Sequence, residues 1–465
     1  MLRSGSMAAA AATGGWALSG CAHTVPLAPT VTQTVTKVPF QLYVVGVPIN
    51  RTSTSLIQQF VDQTFNAKHT GVQAIYQPPY NMGGVVSSIL AGSTAPVVVT
   101  SCCTDWPIIL PFLEQLDPYL KKDNVDTSTW KPGQLTRFTE PGGLFGLPED
   151  AASEAYLYRQ DVLDELGLQY PDPAWTSTEA AQLWQACSGE KGGKRRYGTT
   201  MPSDNTYPWG LAAVLPGFGG TFLNTDRTRC LLDSPGSIRC GEYWMNLVWG
   251  QVATTGGGYP NGGVFTGSVV FAQGAEPTIL QAVQQLGYKA KWDFIPFPRF
   301  PVAPVGVLHD NFYGMLASAP NKDLAWELLR FAAVDPDWSR FYMQLALAPP
   351  ALPALLPEWI TILGQTAPVL KSKHLEYWTQ PTIQGEGHYD YEFFRYAPTQ
   401  ADTVLSTIWP RIWNRQIDVA GGFRALADQI NALQQVGAVT AAQAPGLAKE
   451  FPSTGPQIAA VQPGL

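Results

Sequence analysis

The sequence predicts an α/β chain folded as two lobes, each a mainly parallel sheet flanked by helices. Three observations carry that expectation. At 465 residues the chain is too long for one ordinary core, and two domains are the default. From Phe40 to Thr100, short apolar runs alternate with helical spacing in the order βαβαβ, the pattern of a parallel sheet with right-handed crossovers. Gly142 to Arg159 reads GGLFGLPEDAASEAYLYR: a glycine turn, an apolar run ending at Pro148, two adjacent acids and an aromatic strand. A chain leaving one compact unit for another needs a short, stiff, polar segment. Pro148 stiffens it, and Glu149 and Asp150 keep it wet.

In chain order, Arg3 supplies a positive charge, Met7–Leu18 form a weakly apolar, alanine-rich run, and Leu18-Ser19-Gly20-Cys21 has the form of a lipobox. Residues 1–21 are therefore expected to be a lipoprotein signal peptide with Cys21 as the lipid attachment point, and residues 22–38, rich in Thr, Val and Pro, a flexible linker. No other stretch is long and apolar enough to span a bilayer, so membrane association is expected through the lipid anchor only. The first lobe should begin with a strand at Phe40–Val47 and a helix at Thr54–Lys68 with Leu56, Phe60, Val61 and Phe65 inward. A strand at Val72–Gln77, a helix at Gly83–Ala91 and a strand at Ala95–Thr100 follow. In an open parallel sheet, ligands collect outside the carboxyl ends of the strands. That rule selects the loops around residues 46–54, 78–83 and 101–106. Asp105 there can accept hydrogen bonds from hydroxyls, while Tyr80 and Trp106 offer flat faces.

Beyond the crossing, a short helix with a glycine stop is expected at Asp161–Gly167. A second, capped by Thr176 or Ser177 with Glu179 in its first turn, is expected at Thr176–Ala186. Gly189–Arg196 (GEKGGKRR) lacks the spacing and the Ser/Thr of a phosphate loop and reads as a solvated basic turn. Asn321–Phe331 reads as an N-capped amphipathic helix with Leu324, Leu328 and Phe331 inward. The proline-rich 348–357 breaks regular structure, and Thr399–Val436 returns to helical spacing with Ile408, Ile412, Phe423, Leu426 and Ile430 on one side. Gly421-Gly422 should delay the start of the last helix. Residues 441–465, rich in Ala, Pro, Gly and Gln, read as a tail.

Composition narrows the function classes. The formal charge of −7 argues against a nucleic-acid binder, because phosphate affinity needs a concentrated basic face and none is legible. Among the cysteines beyond Cys21, Cys230 and Cys240 flank a Ser-Pro-Gly turn and are expected to form a disulfide. No CxxC or paired-His spacing exists, so no metal and no cofactor are expected. Serine-elbow, zincin and dinucleotide-loop motifs are likewise missing. Glu149 and Asp150 make a glycoside-cleaving enzyme the catalytic rival, but neighbours on an extended segment point to opposite sides.

Several segments carry a resemblance. GGLFGLPED with LYRQDVLDELGL (157–168) resembles the hinge of the extracellular solute-binding proteins of bacterial ABC importers, the maltose-binding-protein-like group, which reads GKLYGLPYD…LYYNKDLFEEAGL. NKDLAWELLRF (321–331) is similar to that family's NKEAAWEFLKF, and WDFIPFP (292–298) to its WDVAPLP. At 310–315, DNFYGM replaces the family's glycine-rich loop, so Asn311, Phe312 and Tyr313 present side chains where relatives expose backbone. The resemblance implies a two-lobed periplasmic-binding-protein-like fold of type II with a ligand cleft between lobes. Lobe 1 would comprise 39–148 and 299–350, and lobe 2 would comprise 149–298 and 351–440. Chain crossings would fall at Leu147–Ala151, Pro296–Arg299 and 348–357. It implies a monomeric, lipid-anchored receptor on the outer face of the membrane that passes a sugar or oligosaccharide to an ABC permease. A polyamine or peptide receptor is the alternative, followed by a carbohydrate-acting enzyme or a surface adhesin. The expected ligand-binding residues are Tyr80, Asp105, Trp106, Glu149, Asp150, Tyr158, Trp209, Asn311, Tyr313 and Trp378. Trp209, in the YPWG passage, is the main stacking candidate by the same resemblance.

Overall fold

The structure, a computed structural model, describes residues 40–45, 53–77, 82–91, 96–102, 105–130, 132–151, 153–208, 210–255, 262–274, 277–308, 311–381, 387–389 and 394–443. The chain divides into two units, Met1–Val38 and Pro39–Leu465, and all described residues belong to the second. The expected signal peptide with Cys21 and the expected linker lie outside the described residues, as do Tyr80 and Trp209.

The strands up to the first crossing are β1 (Phe40–Val45), β2 (Val72–Gln77), β3 (Val98–Cys102), β4 (Thr139–Glu140), β5 (Gly143–Leu144) and β6 (Leu147–Pro148). There follow β7 (Ala155–Arg159), β8 (Gly189–Lys191), β9 (Lys194–Thr200), β10 (Ala253–Thr254), β11 (Val269–Gly274) and β12 (Trp292–Ile295). The last are β13 (Gly306–Leu308), β14 (Asn311–Met315) and β15 (Gly387–Tyr389). Sheet one runs β2-β1-β3-β14-β6, and sheet two runs β10-β9-β11-β7-β12 with β8 hairpinned onto β9. Each sheet is mainly parallel, as expected, with one strand of its path, β14 in sheet one and β7 in sheet two, running against the other four. In sheet one, β2-β1 and β1-β3 are parallel while β3-β14 and β14-β6 are antiparallel. In sheet two, β10-β9 and β9-β11 are parallel while β11-β7 and β7-β12 are antiparallel. The antiparallel members are the strands next to chain crossings, which enter a sheet from its far end.

Each sheet has its own core. Val98, Val99, Leu147, Phe312 and Met315 of sheet one pack against Ile57, Val85, Trp326 and Leu329 from the flanking helices. Sheet two is covered on both faces, and β7 divides its side chains between them with the strand period of two. Tyr156 and Tyr158 join one cluster with Trp184, Trp244 and Phe423, while Ala155 and Leu157 join the other with Trp292, Trp359 and Trp378. The first helix, Ser53–Val61, continues as a wider turn at Asp62–Asn66. Its buried stripe is Ile57, Val61 and Phe65 at i+4 spacing, which leaves Leu56, expected inward, 46% exposed.

Local signals at several ends are explicit. The helix Ser177–Cys187 opens with a reciprocal capping box, in which Thr176 Oγ1 accepts from the Glu179 backbone N–H at 3.2 Å and Glu179 accepts from the Thr176 backbone N–H at 2.7 Å. Thr176→Ala is therefore expected to lower stability by about 1 kcal/mol, read as a shift in urea midpoint without change in slope; a loss under about 0.3 kcal/mol would contradict the cap's contribution. Asn321 caps Lys322–Val334 by accepting from Leu324 N–H at 3.1 Å. The basic turn of Gly189–Arg196 is the β8–β9 hairpin, with Gly192 and Gly193 at its tip. The last helix starts at Val419, before Gly421-Gly422, contrary to expectation. A Cβ on Gly422 would lie 2.4 Å from Ile412 Cγ1, so the missing side chain lets this helix approach the end of Pro398–Trp413.

The crossing segments lie side by side. Glu149 N–H donates to Asn311 C=O at 2.9 Å, Ala151 N–H to Pro349 C=O at 3.3 Å and Glu154 N–H to Val307 C=O at 2.8 Å. After the expected crossing at Pro296–Arg299, Phe300, Val305 and Val307 still pack in the sheet-two core, and Asn311 opens β14 of sheet one.

Candidate functional site

At the carboxyl end of sheet one, β3 delivers Thr100 and Ser101, and the turn after it delivers Asp105. The outgoing crossing delivers Glu149 and Asp150, and β14 begins with Asn311. Thr100 Oγ1 donates to Glu149 Oε2 and Ser101 Oγ donates to Asp105 Oδ2. Asn311 Nδ2 donates to Asp150 Oδ2 at 2.7 Å. Three segments distant in sequence thus bring three carboxylates, two hydroxyls and an amide to this end of the sheet, with Thr100–Glu149 and Ser101–Asp105 on opposite faces. Burial pushes the Asp105 carboxyl above the ordinary carboxylate range, partly offset by the Ser101 hydrogen bond. Burial, with the Glu149 charge second, pushes the Tyr76 and Tyr313 hydroxyls far up, so both remain neutral donors beside the acids. Such a cluster suits a neutral, hydroxyl-rich solute, whose O–H groups both donate to carboxylates and accept from side chains.

The expected residues separate into two groups. Asp105, Glu149 and Asn311 are each partly open to solvent at this end of the sheet, Glu149 on the Thr100 side and Asp105 on the Ser101 side, whereas Asp150 is buried. The expected rings are corrected. Trp106 has no exposed surface: it opens the helix Trp106–Ile109 and packs edge-on against Phe312 at 4.9 Å and Phe138 at 5.2 Å. Tyr158 stacks on Phe271 at 5.3 Å inside the sheet-two core. Trp378 is buried edge-on against Phe294 at 5.2 Å, and Tyr313 is buried with its hydroxyl accepting from Trp338 Nε1 at 3.1 Å. None of these four presents a face to a ligand, because each ring found apolar partners across its sheet.

A second part of the site went unread in the sequence. A cavity of about 600 Å³ is lined on the sheet-one side by Thr136, Arg137, Thr139 and Glu140, and on the sheet-two side by Thr221, Asn224, Asp226, Arg227 and Arg395. Glu140, only 3% exposed, accepts from Trp106 Nε1 at 3.5 Å and from Arg227 across the cavity. Glu140 therefore ties the cavity to the strand end that carries Asp105. Neither partner is legible locally, since Glu140 and Arg227 meet only through the tertiary fold.

The disulfide expectation is also corrected. Cys187, Cys230 and Cys240 are free thiols, all buried. The Ser-Pro-Gly turn opens the helix Pro235–Trp249, so Cys240 sits on that helix, while Cys230 N–H donates to Asn431 Oδ1 at 2.8 Å. Burial raises the Cys187 and Cys230 thiols to about 12. Alkylation of the native protein at pH 8 is expected to spare all three, and alkylation after unfolding without reductant to label all three; recovery of a 230–240 bridged peptide would contradict this. Among the described residues no cluster of His, Cys, Asp or Glu can hold a metal ion, and no helix is long and apolar enough to cross a membrane.

Comparison with known proteins agrees with this architecture. An ABC substrate-binding protein from Listeria monocytogenes in complex with cycloalternan superposes with a TM-score of 0.71 at 16% identity, covering 85% of this chain and 98% of that one. A cyclic alpha-maltosyl-1,6-maltose binding protein from Arthrobacter globiformis gives 0.69 at 17% identity, covering 85% and 99%. These likenesses establish the two-lobed α/β fold. By sequence the chain is 23% identical to a maltotriose-binding protein of Pyrococcus abyssi over 252 residues, which is 52% of this chain and 51% of that protein. The chain thus spans about half the length of that curated relative. Residues 49–336 match the bacterial extracellular solute-binding protein family, more than half of the chain, and the chain belongs to that family.

Proposed function

We propose that this protein is the receptor of a bacterial ABC importer for a sugar or oligosaccharide, which it captures at the carboxyl end of sheet one, between its lobes, and hands unaltered to a permease. The observation that carries this reading is the convergence of Asp105, Glu149, Asn311, Thr100 and Ser101 from separate elements onto one edge of one sheet. The sugar-binding relatives support the same class of solute. Contacts to both lobes favour a closed arrangement over an open one in proportion to their differential affinity. Attachment through Cys21, an extracytoplasmic location and a monomeric state belong to the same proposal. The polyamine alternative is weakened by Arg137, Arg227 and Arg395, which line the adjoining cavity and repel a cation. A hydrolase is disfavoured because Asp150 is buried against Asn311 and cannot flank a scissile bond opposite Glu149.

The test is titration calorimetry against neutral and acidic oligosaccharides, polyamines and short peptides, with mass spectrometry of the recovered solute. One sugar bound at unit stoichiometry and recovered unchanged is the expected result. Product accumulating with time, or binding confined to polyamines or peptides, would overturn it.

A further inference from the structure

We infer that the solute carries an anionic group, a carboxylate or a phosphate, and that the arginine-lined cavity beside the acidic cluster is its subsite. The inference rests on the receptor reading above and narrows its substrate. Three arginines, Arg137, Arg227 and Arg395, are among the residues lining one cavity of about 600 Å³, against two acidic residues, Glu140 and Asp226. This local excess of positive charge stands in a chain whose formal charge is −7. Arginine's planar fork matches a carboxylate or phosphate with two parallel hydrogen bonds.

The loops are built to present these groups. Arg227 has φ +58°, the left-handed region that a non-glycine residue enters only at a cost. Its neighbours hold it there: Arg227 N–H donates to Asn224 C=O at 2.9 Å, and Asn224 Oδ1 accepts from the Thr228 and Arg229 N–H groups at 2.9 Å each. Asn or Gly would adopt this conformation more cheaply, so the arginine side chain is what the position retains. Arg395 N–H donates to Arg227 C=O at 2.7 Å, which sets the two guanidinium-bearing residues on one wall. Arg137, 7% exposed, faces them from the sheet-one side. Arg227 also pairs with Glu140, and this fixed charge orients the guanidinium while leaving the cavity positive.

The geometry also predicts a division of labour. Neutral hydroxyls of the solute meet Asp105 and Glu149, and the anionic end meets the arginines in the cavity that Thr136, Thr139 and Thr221 also line. Because both walls supply arginine, the anion draws the lobes together.

The experiment compares solutes sharing one skeleton by titration calorimetry of the mature chain at 50 mM and 500 mM NaCl: maltotriose, maltotrionate and maltotriose 1-phosphate, with trigalacturonate as a second acidic series. Acidic forms are expected to bind at least tenfold tighter than maltotriose at low salt, with that preference shrinking at high salt. Which acid gains most separates a carboxylate from a phosphate ligand. Arg395→Gln, which leaves the Arg227–Glu140 pair in place, is expected to reduce the acid-over-neutral ratio at least fivefold, and Arg395→Lys to recover part of it. Circular dichroism of both variants checks folding. Maltotriose binding as tightly as its acidic forms overturns the anionic subsite while leaving the receptor reading intact. No binding by any sugar overturns both.

Discussion

Trp106→Ala is expected to destabilise the protein by about 3–5 kcal/mol, a large fraction of the stability of an ordinary domain. The ring has no exposed surface and fills the space between Phe138 and Phe312 beneath the carboxyl end of sheet one. Its removal leaves a cavity and costs the aromatic contacts as well as the transfer of the ring from water. It also deprives the buried Glu140 of a donor. The measurement is urea unfolding at constant temperature. A loss below about 1 kcal/mol would show that the ring is not part of the core and would restore it to the ligand face.

Glu149→Ala is expected to behave in the opposite way, lowering solute affinity about ten- to hundredfold, the value of a charged hydrogen bond lost from a polar site, while shifting the melting temperature by only a few degrees. The carboxylate is partly exposed, accepts from Thr100 and sits beside the neutral hydroxyls of Tyr76 and Tyr313. Thr100 is itself buried, but the carboxylate lost from the partly exposed Glu149 vacates space that water can enter to bond the hydroxyl, so little stability is lost. The backbone bond from Glu149 N–H to Asn311 C=O survives the substitution. Calorimetry of wild type and variant against the same sugar gives the comparison, and equal affinities would reduce Glu149 to a polar linker residue.

The polar residues of the proposed site could be picked out in the sequence because chemistry and topology both point to them. An acid at a strand's carboxyl end, such as Asp105, and an acid pair at a stiff crossing, such as Glu149-Asp150, have few uses inside a core. The rings were not legible. Trp106, Tyr158 and Trp378 read the same in a cleft or in a core until their partners are known, and Phe312, Phe271 and Phe294 come from distant segments. The two reversed strands were not legible for a similar reason: the apolar runs of β7 and β14 identify strands, but not the end of the sheet from which a crossing chain enters. The capping signals of Thr176-Glu179 and Asn321 are local, and they located their helices well. Gly421-Gly422 misled because a helix breaker in isolation serves as a close-packing site once Ile412 lies against it. The arginine cavity depends on the left-handed turn at Arg227 and on its pairing with Glu140, neither of which has a spacing to read.

Small-angle scattering with and without the sugar that binds most tightly in calorimetry tests the central claim most directly. Capture between two lobes requires that binding favour a closed arrangement. The expected result is a smaller radius of gyration on saturation, abolished in Glu149→Ala at the same sugar concentration. A sugar that binds stoichiometrically and leaves the scattering curve unchanged would contradict capture between the lobes.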